Sequence, residues 1–406
     1  MKILKIAIRN ITRNKRRTTI TVITIVIGVF VIILAKGIIK GFQNETIVQM
    51  IETRTGDIQI HKVGYRETLD ILPLDLSIDF NDVLNGMSDS KGIKEISGRI
   101  LFSGQLTTQE ESALLYGKAI DVAKELAICP RLNDNMDLGE FLTPEDRKKI
   151  VLNKDLNKKL GLEIGNSVLL FATSKAGAIN ATELILKGVF HSDLPDSNKN
   201  LGYIPLRDAQ ELLLMDGIVT EVVLKKEGSY DINQTVAEMK NKFSGYDYEI
   251  NTWQEIEQSI DRMVESQNLL SGAVSVILFV IVFSTVMNTM LMVVLERTNE
   301  IGTLMAIGFK RKHILSLFLL EGFFKGIIGG IIGAIVATIV VFSLNTIGIP
   351  FYMPGSTEAS FIIKPEIDLK IILLALLFSI GAAVLASLYP ANRGSKMDPV
   401  EALRSV

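Results

Sequence analysis

Four long apolar runs divide this chain, and their spacing is very uneven. Thr18–Ala35, Leu269–Leu295, Gly326–Asn345 and Ile371–Pro390 contain no charged residue. Each is about long enough to cross a ~30 Å hydrocarbon core as a helix. More than 200 largely polar residues separate the first run from the second, whereas short connections join the other three. The expected fold class is therefore a membrane α-helical protein with four transmembrane helices and one large extracytoplasmic domain.

A mean hydropathy of +0.33 hides two different parts. Residues 37–268 hold 25 Lys/Arg against 37 Asp/Glu, and the remainder holds 18 against 8. The formal net charge of −2 is thus a cancellation of −12 by +10. Cationic segments belong beside anionic headgroups. Residues 1–17 carry seven Lys/Arg and no acid, the loop Glu296–His313 carries four, and the tail beyond Pro390 three. The loop Thr346–Asp368 has only Lys364. The positive-inside rule then places both termini and the Glu296–His313 loop in the cytoplasm of a multi-pass inner-membrane protein, with the large domain outside.

These runs predict boundaries along the chain. An interfacial helix over 1–17 precedes TM1 (18–41), an α+β domain with stalk helices (42–266), and TM2 (267–295). A helical loop (296–313), TM3 (314–345), a short outer loop (346–368), TM4 (369–390) and a tail (391–406) follow. Within 42–266, a porter-like lobe of 42–95 with 200–250 and a distal insertion of 96–199 are expected. Ile3, Leu4, Ala7, Ile8 and Ile11 fall on one helical face, with Lys2, Lys5, Arg9 and Arg13 opposite, as in a helix lying on a membrane surface. The first run continues through Gly37 and Gly41 without a small-residue cleavage site, so a retained anchor is expected rather than a signal peptide.

Ile47, Met50 and Ile51 extend the first helix to about Thr53, and Trp253, Ile256, Ile260, Met263 and Val264 lead into the second. If unbroken, Trp253–Leu295 would extend ~65 Å. Ile58 and Ile60 alternate with polar neighbours; Val168–Phe171, Leu184–Leu186 and Val222–Leu224 are short strand signals. Val151–Leu160 and Arg207–Met215 read as helices. Gly322, Gly326, Gly330 and Ala334 recur every four residues, with Gly329 and Gly333 alongside, which lets helices approach closely in lipid. Glu321 and Lys325, one turn apart, are expected to pair.

Signals for catalysis are missing. His61, His191 and His313 have no partner at metal-ligand spacing, no GxxxxGK[ST] occurs, and Asp75, Asp79 and Asp82 do not form a calcium loop. Cys129 is the only cysteine, so no intrachain disulfide can form. The spans lack the buried Asp/Glu/His chain of a proton-driven carrier. Energy for transport must come from a partner or an ion gradient.

In Glu296–Ile314, ERTNEIGTLMAIGFKRKHI, Ile301, Leu304, Met305 and Gly308 fall at i, i+3, i+4 and i+7, with Glu300 near the helix start and Lys310, Arg311 and Lys312 following. This string resembles the coupling helix of ATP-binding-cassette permeases of the macrolide-exporter and lipoprotein-release group, the FtsX-like permease family. Arg9-Asn10 with the Arg13–Arg17 basic group resembles that family's amino-terminal helix. Gly202–Leu213 (GYIPLRDAQELL) is similar to a motif of its periplasmic porter region. Tyr389-Pro-Ala-Asn-Arg393 and Asp398–Arg404 resemble its carboxyl terminus.

The resemblance implies a non-catalytic permease that dimerises with itself or a paralogue. A separate cytoplasmic ATPase would bind ATP and Mg, and this chain would hold no cofactor or metal and no nucleic acid. Glu300, Ile301, Leu304, Met305 and Gly308 would form the ATPase-coupling site. Gly56–Tyr65 is closer to the lipoprotein-release branch, which implies membrane lipids and a periplasmic lipoprotein carrier as partners. Ile38, Phe42, Met263, Val286, Met287 and Met290 are the expected lining of a cargo cleft. Efflux of drugs, peptides or toxins, or control of a cell-envelope enzyme, are the alternatives.

Overall fold

The computed structural model describes residues 2–13, 15–87, 92–191, 199–228, 230–352, 361–398 and 402, without the side chains of 2–5, 8, 12 and 259. Two compact units emerge. A helical unit comprises Met1–Glu45 and Arg262–Val406, and a polar unit comprises Thr46–Asp261.

The chain opens with α1 (Lys2–Arg13) and α2 (Lys15–Met50). In α1, Ala7 and Asn10 are buried while Arg9 and Arg13 are exposed; Ile3, Leu4 and Ile8 of the expected apolar face lie outside the described side chains. Helix α2 continues into a π turn, Ile51–Thr55, which Gly56 closes at φ +63°. A Cβ at Gly56 would meet Val223 Cγ1 at 2.4 Å, so both the positive φ and the space require glycine there.

The polar unit follows. Its elements are β1 (Ile58–Lys62), β2 (Ile78–Asp79), α3 (Phe80–Met87), β3 (Ile93–Thr107), β4 (Ser112–Ile120), α4 (Val122–Ile128), β5 (Met136–Gly139), β6 (Lys149–Asn153), α5 (Lys154–Leu160), β7 (Ser167–Thr173), β8 (Ile179–Phe190), β9 (Leu201–Pro205), α6 (Leu206–Leu213), β10 (Ile218–Val219), β11 (Glu221–Lys226), α7 (Ile232–Lys242), β12 (Tyr248–Thr252) and α8 (Trp253–Ile256). Ten strands form one sheet in the order β12-β1-β11-β3-β4-β9-β6-β8-β5, with β7 pairing β3 and β8. Most pairs are antiparallel; β4–β9 and β6–β8 are parallel. Strand β3 is continuous across residue 96 and joins β11, β4 and β7.

Apolar side chains of α3, α5, α6 and α7 (Val83, Leu156, Leu212, Val236) share one core with sheet residues such as Ile60, Ile100, Phe102 and Leu115. On the other side, Val122 and Ile128 of α4 join Ile120, Tyr203 and Val223 in a smaller cluster. With both faces covered at β1, its residues Ile58–His61 are all buried, rather than alternating as the sequence suggested.

The structure corrects the helix expected at Val151–Leu160. Residues Lys149–Asn153 are a strand, and the helix begins only at Lys154. An apolar run of this length fits either a buried strand or a helix. The cap decides it: Asn153 accepts a hydrogen bond from the Asp155 N–H at 2.9 Å, which fixes the helix start. Arg207–Met215 is helical as expected, as α6.

The stalk over Trp253–Leu295 is not unbroken. Helix α8 starts in a Thr252/Glu255 capping box and ends at Glu257, where ψ turns to 68°. Beyond it run α9 (Gln258–Glu296), α10 (Thr298–Ala306), α11 (Arg311–Ile347), the hairpin β13 (Ile349–Phe351) with β14 (Phe361–Ile363), and α12 (Leu369–Ser395). Among the described residues, four helices are long and apolar enough to cross a membrane: Lys15–Thr55, Ile260–Glu296, Arg311–Ile347 and Leu369–Ser395.

The glycines of α11 serve two faces. A Cβ at Gly326 would meet Ile380 Cα at 3.0 Å, and one at Gly330 would meet Ser379 Oγ at 2.4 Å, both on α12. Gly329 and Gly333 face α2 instead, with Ile25 Cγ2 at 2.7 Å and Val26 O at 2.9 Å from the built Cβ positions. Close approach lets Ser379 Oγ donate to Gly326 O at 3.2 Å across the α11–α12 contact. Gly333→Leu should therefore overpack the α11–α2 contact by about 1–3 kcal/mol. It should lower the thermal midpoint of the purified protein by several degrees. Gly381→Ala, where the added Cβ meets nothing within 4 Å, should not lower the midpoint, because alanine is the better helix former.

Candidate functional site

In the helical unit, α10 lies within a network of charges. Arg297 Nε donates to Glu300 Oε2 at 2.7 Å and Nη1 donates to Glu321 Oε1 at 3.1 Å. Asn10 Nδ2 donates to the same Glu321 oxygen at 2.7 Å. Arg13 pairs with Glu300 and Arg17 with Glu296. Partial burial works against ionisation of Glu300, but hydrogen bonds from Arg297 and Arg13 outweigh it and hold the carboxyl below the usual glutamate range. Segments that meet here are up to 311 positions apart in sequence.

The Glu321–Lys325 pair expected from helical spacing gives way to these partners. Glu321 turns to Arg297 and Asn10, and Lys325 Nζ contacts Met290 Sδ at 3.3 Å. The Arg297 guanidinium, at the start of α10, shares its donors between Glu300 and Glu321, and with Asn10 it takes the Glu321 oxygen that a same-helix lysine would otherwise reach.

The five residues assigned to coupling are not equally placed. Ile301 is buried in the helical core, where its Cδ1 lies 3.6 Å from a Cβ built on Gly394. Leu304 and Met305 are half-buried and pack on that core. Gly308 is exposed, with φ +103° just past the helix end. The outward side of the loop is Asn299, Thr303, Ala306 and Ile307, followed by exposed Lys310, Arg311 and Lys312. Ile307 is 74% exposed and was not singled out by periodicity, because it falls outside the apolar stripe.

Residues assigned to a cargo cleft also separate. Val286 and Met290 are fully enclosed in the core formed with Ile25, Val29 and Phe318, and Met287 packs against it. Phe42 joins Phe351 and Phe361 of the hairpin, at centroid distances of 5.2 and 5.6 Å. Ile38 and Met263 are half-buried.

The polar unit contains a cluster that periodicity did not reveal. Arg99 of β3 is fully buried. Its Nε donates to Glu125 Oε2 of α4 at 2.8 Å, and Nη1 donates to Glu221 Oε1 of β11 at 2.6 Å. Glu221 also faces His61 Nε2 at 3.3 Å. Burial alone would raise the Glu221 carboxyl; Arg99 first, then His61 and Lys118, hold it well below the usual range. Burial, with Glu125 beside it, pushes the Cys129 thiol up to about 11, so it is a neutral thiol at pH 7. Among the described residues, no group of three or more His, Cys, Asp or Glu could hold a metal ion.

This cluster also caps the π turn. Its carbonyls at Ile51, Arg54 and Thr55 accept from Cys129 Sγ (3.5 Å), Arg99 Nη1 (2.8 Å) and Gln59 Nε2 (2.9 Å). Glu52 pairs with Arg131 at 2.9 Å, and Arg54 with Glu257 at 3.3 Å. The clue in the sequence is a charged residue interrupting an apolar strand: Arg99 before ILF, Lys118 after LLYG, Glu221 before VVL.

Removing Arg99 strands two buried carboxylates. Arg99→Met should destabilise the polar unit by about 3–5 kcal/mol, read as a shift in the denaturant midpoint of Trp253 fluorescence. Because Glu221 is depressed in the folded state, its contribution is present above the ordinary glutamate pKa of 4.5 and is lost as pH falls through the folded value. Acidification below about pH 4 should therefore destabilise wild type, and Glu221→Gln should flatten that dependence.

Comparison with known proteins places these features. Residues 18–242 match the family described as MacB-like periplasmic core domain, and residues 272–399 match the FtsX-like permease C-terminal family. The chain is 22% identical over 405 residues to the lipoprotein-releasing system transmembrane protein LolC of Neisseria meningitidis serogroup B, covering 95% of this chain and 94% of that one. It is 25% identical over 413 residues to the macrolide export ATP-binding/permease protein MacB of Campylobacter jejuni, covering 98% of this chain and 60% of the relative. To MacB of Campylobacter fetus it is 28% identical, covering 96% and 59%. The chain thus spans about three fifths of the macrolide-export relatives. The solved periplasmic region of MacB from Actinobacillus actinomycetemcomitans aligns with a TM-score of 0.37 and 17% identity, over 53% of this chain and 95% of that one. The chain belongs to the FtsX-like permease family, in the group that carries a MacB-like periplasmic core domain, and is an ABC transporter permease of that type.

Proposed function

We propose that this chain is the permease of a lipoprotein-releasing system, driven by a separate cytoplasmic ABC ATPase that holds ATP and Mg. The observation that carries the reading is the nearly end-to-end match to a lipoprotein-releasing transmembrane protein, 94% of whose length is covered. A second reading, export of a drug, peptide or toxin, is supported by the slightly higher identity to macrolide-export relatives. Both readings share one mechanism. The amino terminus, the α10 loop and the tail are cytoplasmic, where their excess of Lys/Arg is favoured, and the polar unit is periplasmic.

The α10 loop receives the ATPase. Its outward residues, with Ile307 at their end, dock on the ATPase surface, while Ile301, Leu304 and Met305 fasten the loop to the helical core. Glu300, held by Arg13 of α1, and Glu296, held by Arg17 of α2, make α1, the start of α2, α10 and the end of α9 move together. A second permease, identical or paralogous, completes the transporter; the exposed apolar side of α9 (Leu270, Val274, Ile277, Ile281) faces that partner or lipid. In lipoprotein release, acyl chains enter beside Ile38, Phe42, Met263 and Met287 before transfer to a soluble periplasmic carrier.

The decisive experiment is co-purification with the ATPase, followed by mass spectrometry of bound protein. Acylated protein that is released to a carrier when ATP is added is the expected result. An outer-membrane duct with drug tolerance would instead favour export. Ile307→Asp should abolish ATPase pull-down while leaving the thermal midpoint intact. Leu304→Asp should lower both, since that side chain also packs inward. An Ile307→Asp variant that binds ATPase and transports normally would remove Ile307 from the docking surface.

A further inference from the structure

The polar unit contains a part-open cavity of about 640 Å³ above the middle of its sheet. That volume lies within the ~300–1,000 Å³ of small-molecule sites. Its floor is built by neighbouring strands. His61 of β1, Glu221 of β11, Arg99 of β3, Lys118 of β4 and Tyr203 of β9 all line it. The register explains this convergence: Glu221 is opposite Arg99, and Lys118 is opposite both Leu101 and Tyr203. Leu69, Leu101, Phe141, Phe190 and Ile256 supply apolar wall, and Arg54 and Arg66 add cations.

The charges on this floor are unequally satisfied. Arg99 takes both buried carboxylates, Glu125 at 2.7 Å and Glu221 at 2.6 Å. Lys118, with only 7% of its side chain exposed, is left with the Arg54 carbonyl at 3.3 Å and Glu125 at 3.6 Å. Its ammonium has three donors, and the second contact is too long for a hydrogen bond. The Tyr203 ring lies 5.8 Å away and can add only a weak cation–π attraction. Burial, then the like charge of Arg99, pushes the Lys118 ammonium below the ordinary lysine range. A buried cation with incomplete hydrogen bonding is costly. Oxygens of an anion in the cavity would complete its shell. Of the cavity's carboxylates, Glu221 is held by Arg99 and Glu257 by Arg54, and Asp70 is exposed to water at the rim, so the buried floor does not invite a cation instead.

We propose that this cavity is a binding site for a small anionic amphiphile, whose carboxylate or phosphate head meets Lys118 and whose hydrocarbon body lies on the Leu101–Phe141–Phe190–Ile256 wall. The apolar lining excludes a bare inorganic anion as the fitting occupant, and the buried ammonium disfavours a neutral hydrocarbon. The occupant would lie against Arg54 and Glu257, residues in the segments where the chain enters and leaves the polar unit.

Binding can be measured by calorimetry on the full chain in phosphatidylcholine nanodiscs, without any ATPase, so the outcome is independent of the transport reading. Octyl phosphate should bind saturably at one site per chain, with octanol and inorganic phosphate each at least tenfold weaker. Lys118→Met should weaken octyl phosphate tenfold or more. Leu101→Trp, which fills the cavity and keeps the lysine, should also weaken it, guarding against a folding defect in the first variant. Displacement by lysophosphatidate incorporated in the nanodisc would identify a lipid as the source; resistance to displacement would identify a soluble amphiphile. Octanol binding as tightly as octyl phosphate, wild-type affinity in both variants, or no saturable binding would overturn the proposal.

Discussion

A charge taken out of water must find its partner inside the protein, and that constraint organises both units of this chain. In the polar unit Arg99 gathers Glu125, Glu221, the Arg54 carbonyl and Cys129. In the helical unit Glu321 gathers Asn10 and Arg297. Neither hub need add much net stability, because desolvation consumes most of the attraction. Their effect is on specificity: any other arrangement of these segments leaves a buried charge unpaired. Arg99 therefore fixes α4 and β11 against β3, and Glu321 fixes α1 and the end of α9 against α11.

What could be read from the sequence follows the range of the forces involved. The four spans are visible because lipid demands some twenty uninterrupted apolar residues. The glycine ridge of α11 is visible because its repeat is one helical turn, although the two faces it serves, α12 and α2, are not. Strands such as β7, β8 and β11 coincide with short β-rich runs, whereas β6 reads as the start of α5 because three apolar residues look alike in either element. The Arg99 cluster was hidden for a different reason. Its partners are 26 and 122 positions away, and only the pairing of β11 and α4 with β3 brings them together.

In the α10 loop the helix is legible in the sequence, and the side it turns outward is not. The stripe Ile301–Leu304–Met305 predicts the helix because an apolar stripe marks the face that packs. That same logic turns the stripe toward the helical core and leaves Thr303, Ala306 and Ile307 outside. Ile307, 74% exposed, is the large apolar side chain on that outward side, where single exposed hydrophobics are common and only the proposed docking gives it a role.

The two segments that lead into and out of the polar unit differ in construction. On the entry side α2 passes into the π turn without a break, and the turn's carbonyls at Ile51, Arg54 and Thr55 are held by Cys129, Arg99 and Gln59. On the exit side the chain breaks at Glu257 before α9 begins, and Glu257 is held by a half-exposed Arg54. Of the entry-side bonds only the one from Arg99 is to a charged group and worth about 1.5–3 kcal/mol, the thiol and amide bonds being worth about 0.5–1.5 kcal/mol each, while an ion pair with a half-exposed partner is worth about 1 kcal/mol or less. Within the polar unit, the entry segment is therefore held by more buried bonds than the exit segment. The cavity lies beside Arg54, whose backbone carbonyl accepts from Arg99 in the entry segment and whose side chain holds Glu257 in the exit segment.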